Sequence, residues 1–255
     1  MNILDTFLIQ LFVPPMLPCD RRVLSCLEAS EVVLKEDLVY DLKAGSVPPP
    51  RLQSRNAWLR DSRSSRILLC NGREDSLVNF RAAGGYWIPR GMQEPLTLIE
   101  WTLPFRESYL ECAEDLIAAA GPAGMAWWGI TSPPGIGALA GAMMDLPTRP
   151  AKPPKGLPVI QQPDNLDHPA CPGWFGWINY WSAESASRVG LPSHPAQMEP
   201  FDVARRLNDG SWVLRLTSDP FDVANEDHMA KMAAAYEHFK YVGGRSAPSL
   251  VTSAS

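Results

Sequence analysis

The sequence predicts an α+β fold with mixed or antiparallel sheets and packed helices, in two lobes joined by a proline-rich extended connector. Apolar residues make up 45% and charged residues 20% of the 255 residues, a balance typical of a globular protein that can bury a core. Strand and helix patterns alternate without the regular rhythm of a doubly wound sheet. Eight prolines fall within residues 147–172, and they divide the chain.

The first predicted lobe covers residues 1–146. Its clearest element is a helix at 105–120, because Tyr109, Cys112 and Leu116 recur at helical spacing. Apolar runs and alternation predict strands at 6–13, 37–42, 66–70, 76–81, 95–103 and 126–130, and further helices at 21–31, 54–61 and 137–146.

The prolines of residues 147–172 disfavour helix and central strand, since each removes a backbone donor and restrains its neighbour. We therefore expect an extended connector, a second lobe at 173–245 and a disordered polar tail at 246–255. Asn225 is the expected N-cap of the last helix. The predicted elements of the second lobe are strands at 174–181 and 211–217 and helices at 183–188, 201–207 and 226–239.

The charge balance favours a protein partner over a nucleic acid. Lys and Arg total 23 against 28 Asp and Glu, a net charge of −5, whereas nucleic-acid-binding domains are usually basic. Five cysteines without a C-x-x-C pair indicate a reducing cytoplasm rather than a disulfide framework. No apolar window reaches the roughly 18 residues that cross a bilayer, so we expect a cytoplasmic protein without a membrane partner. The oligomeric state stays open.

Two short motifs have the form of cofactor sites, and each has a structural alternative. Residues 135–140 read GIGALA, a form of the G-x-G-x-x-A dinucleotide fingerprint. A proline pair precedes them and no acidic strand end follows, which favours a helix start with small residues for close packing. His168 and Cys171 have metal-ligand spacing, but no second pair completes a zinc site. We therefore expect no metal, no cofactor, no catalytic residue and no enzymatic activity.

The predicted helix 105–120 carries an acidic face. Glu107, Glu111, Glu114 and Asp115 lie opposite its apolar stripe, and no Lys or Arg follows any of them at i+4. Like charges at this spacing destabilise a helix. The usual explanation is a solvated surface, and the alternative is an electrostatic surface that binds a basic partner.

Residues 176–182, GWINYWS, place several aromatic side chains around one amide. In a strand, Trp177, Asn179 and Trp181 share one face. We expect both indoles to be buried and the amide to be hydrogen-bonded, because an unpaired buried amide costs about 1–3 kcal/mol. The alternative is that strand 174–181 lines a ligand pocket.

Arg215 poses a similar question, since it interrupts the apolar run WVLRLT. Its guanidinium needs partners if that strand is buried. We predict that four polar residues form one structural cluster in the second lobe: Asn179, Arg215, Asp222 and Arg245.

Several strings together resemble a bacterial family with no assigned enzymatic activity, and also the polymorphic-toxin immunity family called immunity protein 52. The C-terminal half carries GWINYWSAESASRVGLP, GSWVLRLTSDPFD and AYEHFKYVGGR. The likeness continues upstream through RNAWLRDSR, LLCNG, AWWGITSP and PPKGLP, over roughly residues 50–245. The chain departs from the immunity family at Lys240 and Tyr241, and its first fifty residues match loosely.

The resemblance implies an α+β immunity protein, encoded beside a toxin that often carries a restriction-endonuclease-like nuclease domain. It implies tight binding of that toxin in the cytoplasm, in a setting such as type VI secretion. The leading hypothesis is therefore an immunity protein whose candidate partner-binding residues are Glu107, Glu111, Glu114 and Asp115. The alternative is an unassigned enzyme or small-ligand-binding protein with its pocket around strand 174–181.

Overall fold

The computed structural model describes residues 6–16, 20–42, 48–61, 66–84, 87–146, 148–154, 156–192 and 198–245. The strands are β1 (Thr6–Val13), β2 (Tyr40–Asp41), β3 (Arg66–Cys70), β4 (Asn79–Gly84), β5 (Thr97–Pro104), β6 (Trp128–Ser132), β7 (Ile178–Trp181), β8 (Val203–Arg206) and β9 (Trp212–Arg215). The helices are α1 (Arg22–Leu34), α2 (Arg55–Asp61), α3 (Glu107–Ala123), α4 (Ile136–Met143), α5 (Ala183–Arg188) and α6 (Glu226–His238). All nine of these strands form one antiparallel sheet in the order β2-β3-β4-β5-β1-β6-β7-β9-β8.

β1 lies at the centre of the sheet, between β5 and β6. On one face of β1, Phe7, Ile9 and Leu11 are fully buried. On the other face, Phe12 stacks on Trp128 of β6 with 3.7 Å between ring centroids. Burial on both faces explains why this strand has a nearly continuous apolar sequence rather than strict alternation.

The sheet runs through the predicted boundary between the two lobes. β6 pairs with β7, where Trp128 lies opposite Trp181, and one hydrophobic core continues across this junction. The two-lobe description is therefore corrected, because residues 147–172 join two parts of one sheet. The prolines restrict strand pairing within that segment. They do not prevent β6, which precedes the segment, from pairing with β7, which follows it. Among its described residues, the segment contains a 3₁₀ turn at Pro163–Asn165.

Helices cover both faces of the sheet. α1 and α3 pack together, and α3 contacts β6, β7 and β9. Gly121 of α3 lies so close to Tyr180 that an added Cβ would be 2.6 Å from the ring. On the opposite face, Phe239 at the end of α6 lies 5.4 Å from Trp181, between ring centroids. Tyr180 and Trp181 are neighbours in β7, so their side chains point to opposite faces.

One predicted helix is a strand in the structure. Residues 201–207 contain β8, which forms a hairpin with β9 closed by the Leu207 N–H donating to the Ser211 carbonyl at 2.8 Å. The short sequence DVARRL fits either helical or strand periodicity. Pairing with the alternating strand β9 decides the outcome, because tertiary contacts override weak local preferences.

The α+β class is confirmed, and most other elements lie close to their predicted positions. α3 extends to Ala123, so Pro122 lies in its last turn rather than beyond it. Asn225 caps α6 as predicted, with its Oδ1 accepting from the backbone N–H of Asp227 at 2.9 Å. The predicted tail at 246–255 lies outside the described residues. Across the described part of the chain, no helix is both long and apolar enough to cross a membrane.

Candidate functional site: the acidic surface of α3

α3 presents an acidic surface on the side away from the sheet. Its buried residues, which fix the helix against the sheet, are Tyr109, Ala113, Leu116, Ile117, Ala120 and Gly121. On the outer side, Glu107, Glu111 and Asp115 recur at i+4 spacing and are exposed. We call these three residues the acidic stripe.

Two arginines from the sheet partly neutralise this surface. Arg205 of β8 places its Nη2 atom 3.4 Å from Glu114 Oε1 and 3.3 Å from Asp115 Oδ1. Arg215 of β9 lies 3.5 Å from the other carboxylate oxygen of Glu114. Glu114 is therefore shared by two guanidinium groups. Within the described part of the chain, Glu107 and Glu111 have no ion-pair partner.

Glu114 and Asp115 are therefore compensated by arginines from outside the helix, although no Lys or Arg follows either of them at i+4. The i+4 rule considers only neighbours on the same helix. The compensating arginines come from β8 and β9, and Arg205 is 90 residues distant from Asp115 in sequence. No local pattern in the helix indicates those contacts.

The four residues predicted to form one polar cluster have separate partners. Asn179 bonds within the sheet, Arg215 pairs with α3, and Asp222 Oδ1 accepts from the N–H of Ala224 in a turn. Arg245 donates to the main-chain oxygen of α6. No hydrogen bond or ion pair joins any two of the four, all of which the structure describes. Strand geometry separates Asn179 from Arg215. Asn179 lies opposite Leu214 in the sheet, and Arg215, which follows Leu214, points to the other face.

The GWINYWS segment is part of the core, as predicted. Trp177 is 3% exposed and Trp181 is fully buried. Asn179 accepts from the N–H of Gly176 at 2.8 Å and donates to its carbonyl at 3.1 Å. The indole N–H of Trp177 donates to the carbonyl of Thr217 at 2.8 Å. The Trp181 indole N–H, by contrast, is buried and has no hydrogen-bond partner among the described residues. The Trp181 ring packs near Phe239 at the end of α6, whereas the Tyr180 ring lies against Gly121 of α3.

His168 and Cys171 do not assemble a metal centre. The described residues contain no group of three or more His, Cys, Asp or Glu side chains placed to hold a metal. His168 accepts from the N–H of Ala170 through Nδ1, and its Nε2 lies 3.7 Å from Glu184. Burial lowers the pKa of His168 and raises the pKa of the Cys171 thiol. A raised thiol pKa disfavours the thiolate that binds metals.

The GIGALA segment, 135–140, has a packing explanation. Gly135 has φ +93° at the start of α4, a backbone conformation that favours glycine. An added Cβ there would lie 2.8 Å from the side chain of Val223. The glycine therefore allows α4 to begin close to a neighbouring segment, which agrees with the structural alternative.

A polar groove beside β2 is a feature that the sequence did not indicate. Its larger part, about 730 Å³, is lined by residues 51–56 with Asp37 and Val39. Glu36 and Asn71 line its smaller part, where Glu36 accepts from Asn71 Nδ2 at 2.6 Å and from the Tyr109 hydroxyl at 2.7 Å. Burial and the Glu36 carboxylate raise the pKa of Tyr109 to about 12. These contacts tie the start of α3 to the segment after α1.

Fold and surface together define an α+β protein built on one long antiparallel sheet, with an acidic helix beside one sheet edge. The family described as Domain of unknown function (DUF5953) matches residues 20–247. That match spans most of the chain, and the protein belongs to this family.

Among solved structures, the chain is similar to the Pseudomonas aeruginosa T6SS protein PA0821. The TM-score is 0.57 and the sequence identity 12%, over 92% of this chain and 72% of that chain. At this identity the likeness shows a shared fold. No curated protein matches the chain.

Proposed function

We propose that this protein is an immunity protein, which binds a cognate toxin and neutralises it by protein–protein interaction. The observation that carries the proposal is the likeness to a T6SS protein over 92% of the chain. The strings that resemble immunity protein 52 lie within the same fold, from RNAWLRDSR at α2 to AYEHFKYVGGR at the end of α6. In this proposal the complex forms in the cytoplasm and involves no catalytic step.

The acidic stripe provides a surface suited to a nuclease toxin. A nuclease has a basic surface for the phosphate backbone. Glu107 and Glu111 lack ion-pair partners among the described residues, and the Asp115 side chain is 69% exposed. Complementary potentials raise the association rate. Fast association suits an immunity protein, because the toxin must be bound before it damages the cell that makes it.

The rival hypothesis of a ligand pocket around strand 174–181 has less support. The tryptophans of this strand are buried in the core. Their rings pack against Phe201, Phe239 and Phe12 rather than bordering open space.

Co-expression with the toxin encoded by the neighbouring gene tests the function. We expect the wild-type protein to restore growth and to copurify with the toxin. Loss of growth in the presence of the folded protein would contradict the immunity proposal.

The stripe itself is tested by the double variant Glu107→Lys, Glu111→Lys. These two residues are chosen because neither pairs with an arginine of the sheet. We expect the association rate to fall about tenfold at low salt, and the difference to shrink at 1 M salt, where the Debye length is about 3 Å.

The matched control is Glu237→Lys, an exposed position on α6 at the opposite face of the sheet. Thermal unfolding of both variants should match the wild type. Equal association rates for the control and the double variant would remove the acidic stripe from the interface.

A further inference from the structure

The polar groove beside β2 has a larger and a smaller part, which meet at Arg51. The smaller part has a volume of about 310 Å³ and the larger part a volume of about 730 Å³. Asp37, Val39 and Arg51 line both parts. Ligand pockets in proteins usually measure about 300–1,000 Å³. Each part is therefore large enough for a small molecule, and the shared residues make the groove one continuous site.

The smaller part is built around the ring of Tyr40. On one side of β2, Tyr40 lies opposite Arg51 in an antiparallel bridge, and side chains at opposed positions share one face. On the other side, the turn after β3 contains Gly72, where an added Cβ would lie 2.5 Å from the Tyr40 ring. Arg73 follows Gly72 and also lines this part. The two arginines therefore reach the groove from the two neighbours of β2.

Four basic residues line the groove, and three of them are exposed. Lys35 and Arg51 are exposed, and no described residue forms an ion pair or hydrogen bond with either side chain. The Arg73 side chain is 58% exposed. The fourth basic residue, Arg55, is 12% exposed and pairs with Glu31. Three of the four cations are therefore accessible to a ligand.

The acidic residues of the groove are fewer and less accessible. The Glu36 side chain is 12% exposed, and its carboxylate accepts hydrogen bonds from Asn71 and Tyr109 and contacts Arg73. Asp37 is the exposed acidic residue of the groove. The groove is thus locally basic on a chain whose net charge is −5. Such a groove favours an anionic ligand, because arginine forms paired hydrogen bonds with phosphate and carboxylate groups.

We infer that the groove beside β2 binds a small anionic molecule, whose phosphate or carboxylate group lies among Lys35, Arg51 and Arg73. The inference goes beyond the proposed function and does not depend on a toxin. The larger part of the groove continues past Gln53 and Ser54, whose side chains have no hydrogen-bond partner among the described residues. Amide and hydroxyl side chains both donate and accept hydrogen bonds. The body of the ligand therefore carries polar groups such as hydroxyls.

Calorimetric titration of the full-length protein at constant ionic strength tests the inference. The probes are glycerol phosphate, inorganic phosphate and citrate. We expect saturable binding of glycerol phosphate and weaker binding of inorganic phosphate, which has no body to contact the larger part of the groove. Saturable binding of citrate alone would identify the anionic group as a carboxylate and would support the same site. No saturable binding of any probe in the millimolar range would overturn the inference.

Three variants locate the bound anion. Arg51→Gln should raise Kd about tenfold, as expected for the loss of one charge-assisted hydrogen bond. The matched control is Arg206→Gln, which removes the same charge from an exposed arginine of β8 at the other end of the sheet and should leave Kd unchanged. Asp37→Asn should lower Kd, because it removes an exposed carboxylate that repels the anion.

The variants can also contradict the inference. Equal weakening in Arg51→Gln and Arg206→Gln would show a general effect of surface charge and overturn it. If Arg51→Gln does not fold, Asp37→Asn decides, since Asp37 is exposed and has no ion-pair partner among the described residues. Tighter binding by Asp37→Asn supports the inference, and unchanged or weaker binding overturns it.

Discussion

Arg205 on β8 lies 3.3 Å from Asp115 on α3, measured between Nη2 and Oδ1. This pair joins the acidic stripe to β8, the strand at one end of the sheet. A charge change at Asp115 alters the partner surface and also removes one of the two carboxylates that pair with Arg205, leaving Glu114. Changes at Glu107 and Glu111 alter only the surface charge.

We predict that the Arg205–Asp115 pair contributes little to stability. Its side chains are 42% and 69% exposed, and exposed ion pairs contribute about 0.2–1 kcal/mol. A double-mutant cycle with Arg205→Ala and Asp115→Ala, measured by urea unfolding, should give a coupling free energy within that range. A parallel cycle with Glu107→Ala in place of Asp115→Ala is the control and should give a coupling near zero. A coupling well above the range would show that the pair fixes β8 to α3.

Trp177→Ala is expected to destabilise the protein strongly. The change leaves a cavity in the core and removes the indole hydrogen bond to the Thr217 carbonyl. Such truncations cost about 3–5 kcal/mol, and urea unfolding measures the loss. Tyr241→Ala removes a half-exposed ring and serves as the control, with a small expected effect. If both variants unfold at the same urea concentration, Trp177 is not the core residue that the structure shows.

Local patterns were sufficient for several parts of this fold. The apolar stripe of α3 and the Asn225 cap are set by residues within a few positions of each other, and both were predicted. The burial of Trp177 was also predictable, because a large ring between other apolar residues in a strand has a strong preference for the core. These features could be predicted because the residues that cause them lie close together in the sequence.

Other parts depend on contacts between distant segments. The residues of β8 were predicted as helix because their sequence fits both periodicities, and only pairing with β9 selects the strand. Arg215 compensates the charge of Glu114 because the sheet register brings β9 next to α3. Residue spacing within α3 does not indicate this contact. The pairing of β6 with β7 likewise became visible only when the sheet was assembled. The acidic stripe could therefore be predicted as a surface, but its arginine partners and its adjacent sheet edge could not.

Replacing Gly129 of β6 with a larger residue is expected to destabilise the protein. An added Cβ would lie 2.8 Å from the carbonyl oxygen of Gln10 and 2.5 Å from Leu11 Cδ2. A backbone atom of the central strand cannot move aside as a side chain can, so Gly129→Ala should cost about 1–3 kcal/mol. Gly137→Ala is the matched control, since nothing lies within 4 Å of its added Cβ. Alanine in that helix should stabilise by up to about 0.5–1 kcal/mol. Thermal unfolding that shifts in the same direction for both variants would contradict this account.

Tyr109 is expected to make stability fall at alkaline pH. Burial and the Glu36 carboxylate raise its pKa from 10.0 to about 12, so the folded state holds the phenol proton more tightly than the unfolded state. The resulting stabilisation is complete below pH 10 and is lost as the pH rises towards 12. Tyr180, whose pKa burial also raises to about 12, contributes to the same decline. Tyr109→Phe should therefore reduce the decline in unfolding free energy between pH 10 and 12, without abolishing it.

The same variant has a second consequence at neutral pH. Glu36 loses the hydroxyl that donates to it at 2.7 Å but keeps Asn71 Nδ2 at 2.6 Å. Hydrogen bonds to charged groups contribute about 1.5–3 kcal/mol, so Tyr109→Phe should lower stability at pH 7 by an amount in that range. Glu36→Gln keeps an acceptor for the hydroxyl and removes the charge. It should therefore lower the pH at which Tyr109 ionises, which the tyrosinate absorbance measures. An alkaline decline that is identical in the wild type and in Tyr109→Phe would show that the Tyr109–Glu36 contact does not couple proton binding to folding.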